Sequence, residues 1–405
     1  MPENTSKGSY QGNILRIYLY AGLSGFILFL PIWVIFLQQE RGLSLAVVTL
    51  TDVAFWFTMA VSEVPTGMVA DTLGRRQSIL ISLALAAVAI VLFATMTAFP
   101  LLMVANSLWA IALTFSSGAD RALFYESLKQ IGKAGQYTRF AGYLSTLRLA
   151  SGAVASALGG WIGAKDLQLP FLIYAALCAA AFLVVIGIKE PPFEIDEESG
   201  KRNSYRQILG ITMRAIKERP NLRFPIFYSS FLGLVFLVSE ILLLQPFAVS
   251  IGIPIEMIGL LVFGVRGMRM LGSALADRVS AWIGPWRFFT LAPWMVFAGM
   301  AAMGWFGSIW GIVLFSLSGF AINMASPMID NQILRYSPSA VRATILSISG
   351  MLFMFILSMV EPWIGVLADK TGLQHTFSVI AWLPVVVSLP ILYFWKRTWE
   401  QPAQA

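Results

Sequence analysis

Apolar residues in this chain come in long uninterrupted runs, not in the alternating rhythm of an element buried on one face. From about position 13 onward, stretches of some twenty or more residues are separated by short clusters of Gly, Pro and charge. A helix rises about 1.5 Å per residue, so roughly 20 residues cross a hydrocarbon core of about 30 Å. The runs predict membrane-spanning helices near 13–37, 46–70, 77–97, 100–127, 139–163 and 169–188, then near 224–250, 255–276, 287–306, 309–334, 342–367 and 373–395. Between the two sets lies the one long hydrophilic stretch, 190–222. It opens with P-P-F-E-I-D-E-E-S-G-K-R-N-S and passes into a basic run, Tyr205 to Arg219, with helical spacing. The expected organisation is an all-α integral membrane protein: a six-helix bundle over 1–189, a cytoplasmic linker with a surface helix over 190–222, and a second six-helix bundle over 223–405.

Composition narrows the class. With 58% hydrophobic and only 12% charged residues, a chain of 405 residues cannot cover a water-soluble surface, so lipid is its expected solvent. The polar Met1–Gln11 segment runs into an apolar stretch with no small-residue cleavage site, so the first helix is read as retained. Arg and Lys concentrate in loops on the N-terminal side, including Arg75, Arg76, Lys129, Lys133, Arg139, the cluster from Lys201 to Arg223, Arg335 and Lys396, whereas the opposite loops hold Arg41, Lys165 and Lys370. The positive-inside rule then places both termini in the cytoplasm. The net charge of +7 follows from this loop bias and forms no single basic stripe, so no nucleic-acid partner is expected. Cys178 is the only cysteine and His375 the only histidine, which excludes an internal disulfide, a Cys/His metal site and a histidine proton relay. No G-x-x-x-x-G-K-[ST] sequence is present, so the expected energy source is a gradient. No cofactor and no enzymatic activity are expected.

One motif is more specific. E-V-P-T-G-M-V-A-D-T-L-G-R-R, from Glu63 to Arg76, sits between two spans, and Gly67, Asp71, Gly74, Arg75 and Arg76 fit G-x-x-x-D-x-x-G-R-[RK]. This resembles the loop joining helices 2 and 3 of the major facilitator superfamily. The halves also echo each other: E-R-G-L-S-L-A-V-V-T-L at Glu40 parallels S-I-G-I-P-I-E-M-I-G-L at Ser250, and Asp277 and Arg278 stand in the second half where Asp71 stands in the first. The resemblance implies two pseudo-symmetric bundles of six transmembrane helices around a central substrate cavity, a bacterial inner membrane, alternating access and a monomer. It also implies a cytoplasmic latch in which Glu126 pairs with Arg75 or Arg76. Asp71 is expected to dock on the positive N-terminus of the eleventh span, opened by Ser337-Pro338-Ser339. A similar sequence, G-V-L-A-D-K-T-G from Gly365, falls at the opposite end in this topology and is not assigned to that latch.

Charges inside spans cost about 2.5 to 3.5 kcal/mol each on insertion scales, so they mark cavities or partners. Arg148 falls near the middle of the fifth span, Arg266 in the centre of the eighth with Arg269 on the same face, and Glu240 near the centre of the seventh. These four form a candidate pocket for an anionic group with Glu240 as proton-coupling acid. The alternative is that Glu240 neutralises Arg266 or Arg269 as a structural lock. Asp52 is the second candidate for protonation. Asp120, Arg121, Asp330 and Arg335 lie nearer span ends and read as gate or interface charges, while Glu361 before Pro362 reads as an outer-gate or kink-capping residue. Three functions stay open: proton-coupled efflux of an amphiphilic small molecule, as the Met- and Phe-rich helices suggest; uptake or exchange of a small anionic solute through the arginines; or a non-transporting scaffold on the same fold. Against the first, the fifth span keeps Gly159-Gly160 but lacks the Gly-Pro that many proton-driven exporters of that superfamily carry.

Overall fold

The computed structural model describes residues 3–192, 214, 217–337 and 342–399, and all of the regular structure among them is helical. In chain order the α-helices are α1 Glu3–Ser24, α2 Trp33–Gln39, α3 Leu45–Leu73, α4 Arg75–Thr95, α5 Phe99–Ser116, α6 Ala119–Gln130, α7 Tyr137–Gly163 and α8 Leu169–Ile186. After the linker come α9 Pro220–Val238, α10 Leu244–Ser250, α11 Ile255–Ile283, α12 Pro285–Phe306, α13 Ile309–Tyr336, α14 Arg342–Thr371, α15 Leu373–Ile380 and α16 Trp382–Trp399. Ten helical stretches among the described residues are long and apolar enough to cross a membrane. The other two predicted spans correspond to the α1–α2 pair and to α7, whose glycines, serines and Arg148 dilute its apolar character. Most of the linker, 193–213 with 215 and 216, lies outside the described residues.

The chain divides into two compact units: Met1–Leu43, Leu50–Ile195 and Pro254–Leu260 form one, and Ser44–Thr49, Asp196–Ile253 and Leu261–Ala405 form the other. Two helices therefore begin in one unit and continue in the other. The first turn of α3 belongs to the second unit and the first turn of α11 to the first.

Three expected spans are not continuous. The first is interrupted between Gly25 and Ile32, where G-F-I-L-F-L-P-I supplies a glycine, which is entropically costly in a helix, and a proline, which removes a helical hydrogen bond. Non-helical backbone is tolerated at such depth only when protein covers it. Leu28, Phe29 and Ile32 are accordingly buried; Phe29 stacks on Phe171 and Phe36 packs against it at a tilt, each with ring centres 4.6 Å apart. The fourth span breaks at Ser117–Gly118, where Gly118 has φ of 77°, a region that penalises any residue with a Cβ. The twelfth is divided at Ala381 between α15 and α16. The seventh carries a single π-turn, Ser239–Leu243, between α9 and α10.

In the first unit α4 packs against α5 and α8, and a core of Ile17, Tyr20, Ile79, Leu83, Leu123 and Phe124 fills the space they share with α1 and α6. In the second, 78% of the most apolar stretch running through α9 and α10 is buried, against 28% for α11, so α9–α10 forms the interior of that unit. Tyr228 on α9 donates its hydroxyl to the Phe289 carbonyl at 2.7 Å and joins Trp286, Trp395 and Trp399 in an aromatic cluster. Lipid gives helices no hydrophobic reason to associate, so close backbone approach through small residues takes over. Gly159 on α7 is such a site: a Cβ there would lie 1.9 Å from the Leu28 carbonyl oxygen, whereas one at Gly142 on the same helix would meet nothing within 4 Å.

That contrast generates a prediction. Gly159→Ala should cost about 1–3 kcal/mol of stability through backbone displacement, while Gly142→Ala should be neutral or stabilising by up to about 1 kcal/mol. Thermal unfolding of both variants in detergent micelles measures the difference, and equal midpoints would contradict the packing described.

Candidate functional site

Glu240 occupies the π-turn of the second unit, and its side chain is only 3% exposed. Inserting one extra residue into the helix, as a π-turn does, re-aims the side chains beside it. Arg269 Nη1 donates to Glu240 Oε2 at 2.7 Å, and Arg266 Nε lies 3.5 Å from Oε1. The second contact is an ion pair without hydrogen-bond geometry, since Oε1 is buried and accepts no hydrogen bond. The two arginine side chains are each about one third exposed (34% and 33%), while that of Glu240 is almost wholly buried. Spacing i, i+3 on α11 puts both arginines on one face, as the sequence predicts.

The supporting shell is specific. Gly319 on α13 leaves the room that Arg269 occupies: a Cβ at that glycine would be 2.8 Å from Arg269 Cγ and 2.8 Å from Phe236 Cζ. The Arg269 guanidinium lies 5.7 Å from the centre of the Phe236 ring, and Asn323, one turn on from Gly319, donates to the Gly319 carbonyl at 2.9 Å. Two cations and one anion therefore meet beside an aromatic ring and a glycine.

Arg148, in the first unit, pairs with Asp120, Nη2 to Oδ2 at 2.5 Å. The reason is the break at Gly118, which starts α6 afresh and places Asp120 in its first turn, where Oδ1 also accepts the Arg121 N–H at 2.6 Å. Tyr20, buried on α1, lies beside both partners. Asp52 is buried and accepts a hydrogen bond from Trp56 Nε1 at 3.2 Å, one turn along the same helix. Glu361 is buried on α14, and Asp330, Arg335 and His375 are exposed.

The loop motif is placed as follows. Gly74 is the N-cap of α4 with φ of 98°, and Gly67 lies on α3 with nothing within 4 Å of a Cβ position. Arg75 Nη1 lies 3.6 Å from Glu126 Oε1 and donates to the Ala122 carbonyl at 3.3 Å. Arg76 donates instead to the carbonyls of Val185 and Ile186 at the end of α8, where a cation complements the helix dipole. The Asp71 side chain and residues 338–341 lie outside the described residues, so the expected docking of Asp71 on Pro338 and Ser339 does too. Ser337 ends α13 and returns its hydroxyl to the Ile333 carbonyl at 2.6 Å. Asp277 and Arg278 are exposed on α11.

Two further carboxylates, to which the sequence pattern assigns no role, cap helices. Glu190 accepts the Arg75 and Arg76 N–H groups at 3.0 and 2.8 Å, closing the N-terminus of α4. A helix that opens on Gly-Arg-Arg has no capping side chain of its own, and that lack is the available signal. Asp369, in the G-V-L-A-D-K-T-G sequence, accepts the N–H groups of Leu45 and Ala46 at 3.0 and 2.8 Å, in the first turn of α3.

The Major Facilitator Superfamily profile matches residues 17–362. No curated protein matches the chain in sequence. Among solved structures, the chain is similar to the nucleoside transporter NupG, with a TM-score of 0.78 at 15% identity, covering 96% of this chain and 99% of that one. It is likewise similar to a D-xylose-proton symporter, with a TM-score of 0.71 at 13% identity over 95% and 98% of the two chains. A bacterial homologue of the human lysosomal transporter Spinster, in an inward-facing and unoccupied conformation, gives 0.73 at 15% identity over 98% and 99%. At these identities the likeness establishes the fold.

The charge asymmetry of the Glu240 group predicts an asymmetric mutational response. Arg269→Ala removes the hydrogen-bonded partner of a buried carboxylate and should destabilise by on the order of 3 kcal/mol, whereas Glu240→Ala leaves two part-exposed guanidiniums and should cost less. Adding Glu240→Gln to Arg269→Ala should recover stability. Unfolding midpoints in detergent check the order, and a larger loss for Glu240→Ala would contradict it.

Proposed function

Because the chain belongs to the Major Facilitator Superfamily, we propose that this transporter carries a small solute bearing an anionic group, by alternating access, with Arg266 and Arg269 as its anchor and Glu240 as the coupling acid. The carrying observation is the unequal count of two guanidiniums to one buried carboxylate. A structural lock would need one arginine. The second is an added desolvation cost, and a site retains it only if something other than Glu240 neutralises it during the working cycle.

The same geometry supplies a coupling chemistry. An anion arriving at Arg266 and Arg269 competes with Glu240 for the Arg269 hydrogen bond and the Arg266 ion pair. Drawing the guanidiniums away leaves a buried carboxylate without its counter-charge, and the proposed coupling is that a proton takes their place on Glu240 as the substrate binds. Release of the anion returns the guanidiniums to Glu240 and expels the proton. Proton and anion are thus bound together, and under an inward proton gradient such a carrier is an importer. A cationic amphiphile would meet a surplus of positive charge here, so the cluster favours the anionic reading over the proton-driven efflux that helix composition suggests.

The proposed setting is a prokaryotic inner membrane with both termini in the cytoplasm, as the distribution of Arg and Lys among the loops supports. Each chain carries its own arginine pair, which supports a monomer as the working unit.

Proteoliposomes with and without an imposed acid-outside gradient, given a panel of labelled organic monoanions, neutral sugars and cationic amphiphiles, test this reading. The expected result is gradient-driven accumulation of an anion, stronger as external pH falls, with Arg266→Ala reducing uptake at least about tenfold, the scale of one lost charge-assisted contact, and Glu240→Gln removing the pH dependence. Movement of a cation or neutral amphiphile opposite to protons would overturn it.

A further inference from the structure

The G-x-x-x-D-x-x-G pattern occurs twice, as Gly67, Asp71 and Gly74 at the end of α3 and as Gly365, Asp369 and Gly372 at the end of α14. The copy on α14 is engaged. Both oxygens of Asp369 accept backbone N–H groups, from Leu45 at 3.0 Å and Ala46 at 2.8 Å, at the positive end of the α3 dipole. Gly365, one turn earlier on the same face of α14, sits flush on that turn. A Cβ on it would lie 2.8 Å from Thr49 Cγ2, 2.9 Å from the Leu45 carbonyl oxygen and 3.0 Å from Ala46 Cα. Thr49 is fully buried beneath it. Gly372 then turns the chain with φ of 82°, as Gly74 does with 98°.

These contacts lie within the second unit, yet α3 leaves that unit after Thr49 and runs on within the first. Any motion that carries the body of α3 away from α14 must therefore break the Asp369 cap and expose Thr49. The strength of the contact suits a catch: Asp369 is exposed, so water can replace each hydrogen bond as it opens.

We propose that Asp369 and Gly365 form a releasable catch on the first turn of α3, at the membrane face opposite the termini. In this reading α3 and α14 each end in the same motif, and the copy on α14 holds the first turn of α3 in one state of the cycle and releases it in the other. The proposal rests on the alternating-access reading above and adds the residues that fasten the first turn of α3 to α14. An ordinary helix cap would look the same at rest but would not govern whether Thr49 is reachable.

The test is thiol labelling in proteoliposomes without substrate. Thr49→Cys is placed in a Cys178→Ser background, and a membrane-impermeant maleimide is added from outside. Asp369→Asn, which removes the charge, and Gly365→Ala, which pushes α3 off by bulk, should each raise the labelling rate by roughly three- to tenfold, the scale of one helix-terminal charge. Asp71→Asn should lower it. Parental rates in Asp369→Asn and Gly365→Ala, with normal membrane insertion, would overturn the catch. If Asp369→Asn fails to insert, Gly365→Ala alone decides. Substrate is absent throughout, so failure here leaves the arginine site standing, and failure of anion transport in the arginine variants leaves the catch standing.

Discussion

A carboxylate taken into a hydrocarbon slab must find cations or oriented N–H groups there, and that requirement shapes the charged clusters of this protein. Glu240 is the strictest case, almost wholly buried between Arg269 and Arg266. The helix around it departs from regular geometry at that residue, a glycine on α13 vacates space for the arginine stem, and an aromatic ring lies beside the guanidinium. Each of these concessions costs packing or backbone regularity. They hold together because an unpaired charge in that position costs more.

The same rule acts at lower stakes near the helix ends. Asp120 answers Arg148, Glu190 closes α4 and Asp369 closes the first turn of α3. Helix termini supply part of the counter-charge that a low-charge sequence lacks, since four N–H groups at each start lack an internal partner. Contacts of this kind are weak enough to be exchanged and directional enough to hold a position. A carrier that must alternate between two arrangements needs that combination, because a bistable element requires states separated by only a few kcal/mol.

Much of the architecture is legible in the sequence because hydrophobic length is a coarse and robust signal. Twenty apolar residues have few alternatives to a spanning helix, and the G-x-x-x-D-x-x-G-R-R motif points to the family. What escapes is local. Hydropathy averages over a window, so Gly25 and Pro31 in the first span and Gly118 in the fourth disappear within apolar runs, although each breaks its helix. Depth along a span is readable for Arg148, but which way Asp120 faces after the break at Gly118 is not, so their pairing stays hidden. Glu240 with Arg266 and Arg269 is within reach because the i, i+3 spacing on α11 fixes a shared face and few acids lie so deep. Glu190 is masked by its neighbours: it opens the hydrophilic linker, and a charge there reads as solvated. Asp369 stands in a recognisable motif, yet a docking rule tied to one membrane face passes over it, although the physics of that rule belongs to any helix N-terminus.

The central claim is that the anionic substrate replaces Glu240 as the partner of two arginines and that Glu240 then takes a proton. Counting protons as substrate binds tests this most directly, using weakly buffered detergent solution, a pH indicator and a transported monoanion at saturating concentration. The account predicts uptake of about one proton per anion bound, absent in Glu240→Gln while binding persists. Anion binding with no proton uptake by the unaltered protein, or equal uptake by the Glu240→Gln variant, would contradict it.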